Sequence, residues 1–115
     1  MDFHHGTGAR RIYSLQKKGL APRLNDFVYA SPNLIIASTF ALMRAQEEDD
    51  FGIVVSFPSE VVQWQKDPKF PDSFITKQTI EPKDLRFSMP CLDKETEIYQ
   101  LMEKLISDLG MRIEA

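Results

Sequence analysis

Two short segments near the start of the chain constrain its fold more than any other feature. Residues 3–7, Phe-His-His-Gly-Thr, begin like a buried strand and then turn polar. Glycine weakens a strand interior unless something must approach the backbone closely. Residues 28–32, Val-Tyr-Ala-Ser-Pro, end a hydrophobic strand in an aromatic hydroxyl and lead into a helix start. We interpret the two segments as two walls of a small-molecule pocket.

The composition is that of one globular domain without disulfides. Of the 115 residues, 43% are hydrophobic and 27% are charged, which is ordinary for a chain with a single packed core. The net charge of −3 argues against unspecific nucleic-acid binding, which needs a basic face. A single cysteine, Cys91, excludes an internal disulfide and fits a reducing compartment. Since no segment has the roughly 20 apolar residues that span a bilayer, we expect a cytoplasmic protein without membrane contact.

Hydrophobic periodicity predicts an α+β domain. Gly19 is expected to end the first helix in a left-handed conformation, with Lys17 and Lys18 at the negative end of the helix dipole. Ser31 and Pro32 are expected to start the second helix as a hydroxyl cap and a first-turn proline. Because the later strands do not alternate with helices, the order favours α+β over a doubly wound sheet. Strands are predicted over 1–5, 27–30, 51–57, 73–78 and 85–87, and helices over 9–18, 31–45 and 93–109.

Two charge clusters accompany these elements. The acidic run over residues 47–50 is predicted to be a solvated loop. Arg10 and Arg11, together with Lys17 and Lys18, form a local basic spot that could contact a phosphate.

The last predicted helix is the clearest, because its apolar residues recur at i, i+3, i+4 and i+7 and Gly110 follows as a stop. We divide the chain into a core over residues 1–90 and a C-terminal segment over residues 91–115. The apolar stripe of this amphipathic helix could pack on its own sheet, form a homodimer or dock a partner. A non-catalytic interaction module therefore remains an alternative to an enzyme.

In their order along the chain, these pieces resemble the ADP-ribosyltransferase fold of poly(ADP-ribose) polymerases, rifampin ADP-ribosyltransferases and tRNA 2′-phosphotransferases. Residues 3–7 resemble the family's aromatic-His-Gly-Thr strand, and residues 28–31 resemble its Val-Tyr-Leu-Ser/Thr strand. The resemblance covers about residues 3–88 and implies a split antiparallel sheet with two early helices. Further matches are residues 12–15, 19–20 and Pro22 in the first helix and its turn, Ala37 and Ala41 in the second helix, and residues 74–76 with 80–85 in the closing strand pair.

The resemblance implies that the chain binds NAD and transfers ADP-ribose to an unknown acceptor with release of nicotinamide. By resemblance, His5 bonds the 2′-hydroxyl of the nicotinamide ribose, and Thr7 lies near the adenosine. Tyr29 stacks on the nicotinamide ring, and Phe40 completes an aromatic slot. A carboxamide needs a donor and an acceptor side by side, which the Gly6 backbone offers because no side chain blocks a flat ring.

Ser31, at the end of the second strand, and Arg10, in the basic spot, complete the predicted NAD-binding residues. Each assignment has a structural alternative: His5 also fits a core histidine, Tyr29 an ordinary strand aromatic and Phe40 the apolar stripe of its helix. No metal site is predicted, because adjacent histidines on one strand point apart and one cysteine is too little for a zinc cage.

The predicted catalytic residues are Asp72, His5 and Tyr29. A carboxylate stabilises the positive charge that develops as the bond between ribose and nicotinamide breaks. The family has a glutamate at the start of the late strand, where this chain has Ser73, so Asp72 is the predicted acid and Asp67 the alternative.

Three hypotheses follow from the serine at position 73, where the resemblance predicts a glutamate. An aspartate replaces the glutamate, or the pocket persists without chemistry, or the protein uses arginines to grip an RNA phosphate, as 2′-phosphotransferases of this fold do. The arginines available for that role are Arg10, Arg11, Arg23 and Arg44. The acceptor could be a protein, a small molecule, a nucleic acid or water.

Overall fold

A computed structural model describes residues 1–23 and 26–90 as an α+β domain. The predicted helix over 93–109, and the dimer contact through it, lie outside the described residues. The strands are β1 (Asp2–Gly8), β2 (Val28–Ala30), β3 (Gly52–Pro58), β4 (Gln65–Lys66), β5 (Phe74–Thr76) and β6 (Arg86–Ser88), and the helices are α1 (Ile12–Lys18) and α2 (Leu34–Glu48).

The strands form two antiparallel sheets that meet at one bridge. The first sheet has the order β1-β3-β6 and the second the order β2-β5-β4. β1 and β3 pair over their full lengths, from Asp2 opposite Pro58 to Gly8 opposite Gly52. The bridge joins His4 to Ser31, so that β1 and β2 lie side by side. The predicted α+β class and the antiparallel pairing of its strands are therefore confirmed.

Helix α2 covers one face of β1 at very short range. A Cβ atom built on Gly6 would lie 2.0 Å from the Ala37 carbonyl oxygen and 2.4 Å from the Ala41 nitrogen. Ala41 is fully buried. Glycine is therefore required at position 6 because a helix passes over it. The approach of a ligand ring to the Gly6 backbone stays a prediction.

The opposite face of β1 contributes to the main core. The Phe3 ring stacks on Phe74 at a centroid distance of 5.1 Å, and Phe57 stacks on Trp64 at 5.8 Å. Phe57 is completely buried. Strand β1 is therefore packed between this core on one face and α2 on the other.

The predicted end of α1 is confirmed, whereas the predicted start of α2 is wrong. Gly19 ends α1 with φ = 80°, as expected. Helix α2 begins two residues later than predicted, because the side chain of Asn33, not of Ser31, caps it by accepting from the amides of Ile35 and Ile36. The hydroxyl of Ser31 donates instead to the Asp72 carbonyl at 2.5 Å.

The prediction of a solvated acidic loop is wrong for its first half. Glu47 and Glu48 form the last turn of α2, and Asp49 ends the helix with φ = 51°. The Glu48 side chain is only 15% exposed and lies 2.6 Å from Arg11. The cause is the basic spot at the start of α1, which attracts this carboxylate toward the sheet.

Candidate functional site

The two strands that carry the predicted site residues touch at one point and then separate. His4 and Ser31 exchange two backbone hydrogen bonds, 2.8 and 2.9 Å long. In antiparallel pairing, the backbone groups of alternate residues point to the same side of a strand. The amide and carbonyl of Gly6 therefore point to the same side as those of His4, toward β2.

Beyond the bridge the ladder stops. A regular ladder would next pair Gly6 with Tyr29, but the Tyr29 carbonyl accepts from Nδ1 of His5 at 2.6 Å. No group in the ranges 1–23 and 26–90 bonds the Gly6 amide or carbonyl on this side. One donor and one acceptor are thus left side by side at the split.

The bond to Tyr29 also fixes the tautomer of His5. Since a carbonyl oxygen only accepts, Nδ1 carries the proton. Burial lowers the pKa of His5 below its usual value, and the bond to the Tyr29 carbonyl opposes that effect more weakly. The ring is therefore neutral at pH 7, and its Nε2 offers a lone pair.

A cleft of about 480 Å³ opens at this split, within the range of small-molecule sites. α1 forms one wall and α2 the other, with β1 and β2 between them. Six of the seven predicted NAD-binding residues line the cleft: His5, Gly6, Thr7, Tyr29, Ser31 and Phe40.

The cleft is cationic, although the chain as a whole is acidic. Among the residues that the structure describes, Asp26 supplies its one carboxylate. Cationic side chains of this density attract phosphates, with which arginine forms bidentate pairs. The basic lining residues are Arg11, Lys18, Arg23, Arg44 and Lys69.

Three of these cations have no ion-pair partner in the part of the chain that the structure describes. Arg11 pairs with Glu48, and the exposed Arg44 pairs with Glu47 at 3.4 Å. Lys18, Arg23 and Lys69 make no ion pair within residues 1–23 and 26–90. Their charges are therefore available to a ligand.

Aromatic side chains lie at two places in the cleft. The Tyr29 hydroxyl donates to Oδ1 of Asp26 at 3.2 Å, and burial together with the charge of Asp26 raises the pKa of Tyr29. The Phe40 ring meets Phe70 edge to face at a centroid distance of 5.7 Å. Tyr29 keeps 42% of its surface exposed, so its ring is accessible to a ligand.

Arg10 is the predicted binding residue that the structure does not bring to the cleft. Its backbone amide donates to Asp50 at 2.7 Å, and its guanidinium donates to the Glu48 carbonyl. Its neighbour Arg11 lines the cleft instead.

The predicted acids also lie apart from the cleft lining. Asp72 is exposed and has φ = 54°, and its backbone carbonyl, not its carboxylate, contacts Ser31. Asp67 is only 4% exposed. Its Oδ1 accepts from the Lys69 amide at 2.8 Å, and its Oδ2 has no hydrogen-bond partner among residues 1–23 and 26–90. Ser73, at the position of the family's glutamate, is buried and lines the cleft.

Arg11 and Lys18 belong to the predicted basic spot that could contact a phosphate, whereas several other lining residues, such as Leu15, were missed. Arg11, Leu15 and Lys18 follow i, i+4 and i+7 spacing and share one face of α1. Lys17, on another face, lies over the Tyr13 ring instead. Asp26, Lys69 and Phe70 come from irregular segments, where no period predicts which way a side chain points.

Within the described ranges, no group of three or more histidine, cysteine, aspartate or glutamate side chains could hold a metal ion. No helix in that part of the chain is long and apolar enough to cross a membrane. Comparison of the chain with protein-family models, with curated proteins and with solved structures gives no match in any of the three.

Proposed function

We propose that the cleft binds NAD and that the protein transfers ADP-ribose from it, with release of nicotinamide. The observation that carries this proposal is the open backbone of Gly6 beside the neutral ring of His5. A carboxamide needs one acceptor and one donor, and the Gly6 amide and carbonyl offer that pair. The lone pair on Nε2 of His5 suits a ribose hydroxyl, which donates.

The remainder of the cleft suits a dinucleotide. Its volume of about 480 Å³ accommodates a ligand of that class. Lys18, Arg23 and Lys69 supply charge for a pyrophosphate, and the accessible ring of Tyr29 supplies a stacking surface. Thr7 and Ser31 are buried at the base of the cleft, and Arg11 takes the role first assigned to Arg10.

The chain's own residues would perform three tasks in this reaction. Gly6 and His5 hold the nicotinamide riboside by hydrogen bonds whose directions are fixed before binding. Tyr29 keeps water from one face of the ring. The basic side chains hold the pyrophosphate. The ADP-ribose part of NAD would therefore stay bound while the bond between ribose and nicotinamide breaks.

A second candidate function is transfer of a 2′-phosphate from RNA to NAD. It is favoured by the number of cations: Arg11, Arg23 and Arg44 all line the cleft, with two lysines besides. Two of these five, Arg11 and Arg44, pair with Glu48 and Glu47, but the other three still exceed the two negative charges of a pyrophosphate. The surplus would fit an acceptor that is itself a phosphate.

Isothermal titration with NAD tests the proposal. We expect micromolar to sub-millimolar affinity and a loss of at least tenfold in a variant that combines His5→Ala with Tyr29→Ala. Tyr13→Ala is the matched control, since Tyr13 is exposed on α1 and does not line the cleft, and it should change the affinity less than twofold. No binding at millimolar NAD, or equal binding by the double variant, would refute the proposal.

The acceptor is tested separately by mixing NAD with two RNA oligonucleotides that differ only in one internal 2′-phosphate. Nicotinamide release that requires the modified strand, together with loss of the 2′-phosphate from that strand to the NAD-derived product, supports the second candidate. Nicotinamide release that is the same with both strands, and the same without RNA, contradicts it and leaves the first proposal in place.

A further inference from the structure

We propose that Asp26 is the catalytic carboxylate of this cleft, in place of Asp72 or Asp67. The inference rests on the proposed reaction with NAD and names the residue that stabilises its transition state. Asp26 belongs to the segment before β2, far in sequence from the late strand where the family resemblance predicts the acid.

Position is the first argument. Asp26 is the one acidic residue that lines the cleft within residues 1–23 and 26–90. It is also fixed to the wall that carries Tyr29, because its Oδ1 accepts from the Tyr29 hydroxyl at 3.2 Å and from the Phe27 amide at 2.8 Å. The carboxylate is therefore held at the edge of the ring on which nicotinamide would stack.

Availability is the second argument. Both bonds to Asp26 use Oδ1, and its Oδ2 has no partner among the residues that the structure describes. Asp67 is enclosed, and neither of its oxygens belongs to the cleft surface. The carboxylate of Asp72 lies outside the cleft lining. Of the three, Asp26 alone combines a fixed position with an oxygen open to a ligand.

The chemistry needs such a group. When the C1′–N bond breaks, its electron pair leaves with nicotinamide, which becomes neutral, and the positive charge moves to the ribose. A carboxylate close to that charge lowers the barrier. With water as acceptor, its oxygen bonds to C1′ and its proton goes to Asp26 or to solvent, so the products are ADP-ribose, nicotinamide and a proton.

The test compares Asp26→Asn with Asp72→Asn. The amide oxygen of asparagine still accepts from Tyr29 and Phe27, so only the charge is lost. We expect kcat for nicotinamide release from NAD to fall about 100-fold in Asp26→Asn, the range measured when one charge-stabilising group is removed. KM should change less than threefold. Asp72→Asn should leave both constants within twofold of the wild-type protein.

Binding gives a readout that does not depend on turnover. The oxidised ring of NAD is cationic and that of NADH is neutral, so a carboxylate beside the ring favours NAD, by about threefold for a partly exposed group. This preference should disappear in Asp26→Asn and persist in Asp72→Asn. Unchanged kcat in Asp26→Asn, or loss of kcat or of the preference in Asp72→Asn, would overturn the assignment.

The outcomes separate this inference from the proposed function. A wild-type protein that binds neither nucleotide refutes both. A wild-type protein that binds NAD and NADH equally well, or that binds NAD without releasing nicotinamide, overturns the role of Asp26 and leaves NAD binding intact.

Discussion

Nδ1 of His5 lies 2.6 Å from the carbonyl oxygen of Tyr29, where a continued β ladder would have placed the amide of Gly6. The side chain thus replaces a backbone donor and satisfies the last carbonyl before the strands separate. The Gly6 amide and carbonyl are then left open at the split. One hydrogen bond explains why a polar residue, His5, stands in the middle of β1 at this point.

Gly6→Ala should destabilise the domain severely. Its Cβ would overlap the Ala37 carbonyl and the Ala41 nitrogen, which are backbone atoms of α2 and cannot move without displacing the helix. Overpacking typically costs about 1–3 kcal/mol, and because this clash is with backbone atoms we expect the upper end, about 3 kcal/mol. Urea denaturation followed by circular dichroism measures the loss.

Gly8→Ala is the matched control, since a Cβ there meets only the carboxylate ends of Glu48 and Asp50. These are side-chain atoms that can shift slightly without moving the backbone, so we expect a loss of about 1 kcal/mol, well below that of Gly6→Ala. Equal losses for the two variants would contradict the close approach of α2 to β1.

Lys18→Ala should weaken the binding of ADP-ribose about threefold to tenfold, because Lys18 lines the cleft without a partner among the described residues. The effect should shrink in 0.5 M salt, which screens charges. Lys17→Ala removes the same charge from the next residue, which contacts Tyr13 outside the cleft. If both variants bind equally well in a titration, the cationic wall does not bind the phosphates.

Glu48→Gln should lower the free energy of unfolding by about 1 kcal/mol at pH 7. The hydrogen bond and charge of Arg11 hold the pKa of Glu48 below its usual 4.5. A carboxylate with a depressed folded-state pKa stabilises the fold above the unfolded pKa and loses that effect as the pH falls through the folded value. The difference between variant and wild type should therefore narrow below pH 4.5.

Glu47→Gln provides the control, because Glu47 forms only an exposed pair with Arg44. Exposed pairs contribute little to stability. The free energy of unfolding of Glu47→Gln should therefore lie within about 0.5 kcal/mol of the wild-type value at pH 7 and below pH 4.5. A Glu48 variant that is as stable as the Glu47 variant at pH 7 would show that the pair with Arg11 does not stabilise the fold.

Periodicity predicted five of the six strands and both helices of the described residues, because their apolar residues repeat at the spacing of a buried face. The two-residue strand β4 was not among them, and β1 continues to Gly8 instead of ending at His5. It also predicted Gly19 at the end of α1, where φ is positive. The start of α2 was misplaced, since serine, asparagine and aspartate cap equally well and sequence alone does not say which side chain has another partner. Ser31 is used by Asp72, and Asn33 caps the helix.

The site could be predicted where it is built on regular strands, and not where it is built on loops. His5, Gly6 and Tyr29 follow from β1 and β2, whose alternation fixes which groups face each other. Asp26 and Lys69 lie in irregular segments, so their direction depends on tertiary packing. The predicted acids, Asp72 and Asp67, therefore lie next to the late strand, whereas the carboxylate that lines the cleft, Asp26, precedes β2.

His5 should make NAD affinity fall at acid pH. Burial holds the pKa of His5 below 6.5, so Nε2 accepts a hydrogen bond throughout the range from pH 7 to 8. Once the pH falls through the folded-state pKa, Nε2 gains a proton and can no longer accept from a ribose hydroxyl, and Kd should rise up to about tenfold per pH unit. Titrations from pH 5 to 8 measure this. Burial also lowers the pKa of His4, but Nδ1 of His4 bonds the Ser56 hydroxyl at 2.7 Å. His4→Gln should therefore keep the pH dependence of NAD affinity, whereas His5→Gln should abolish it. The reverse result would exclude His5 as the ribose ligand.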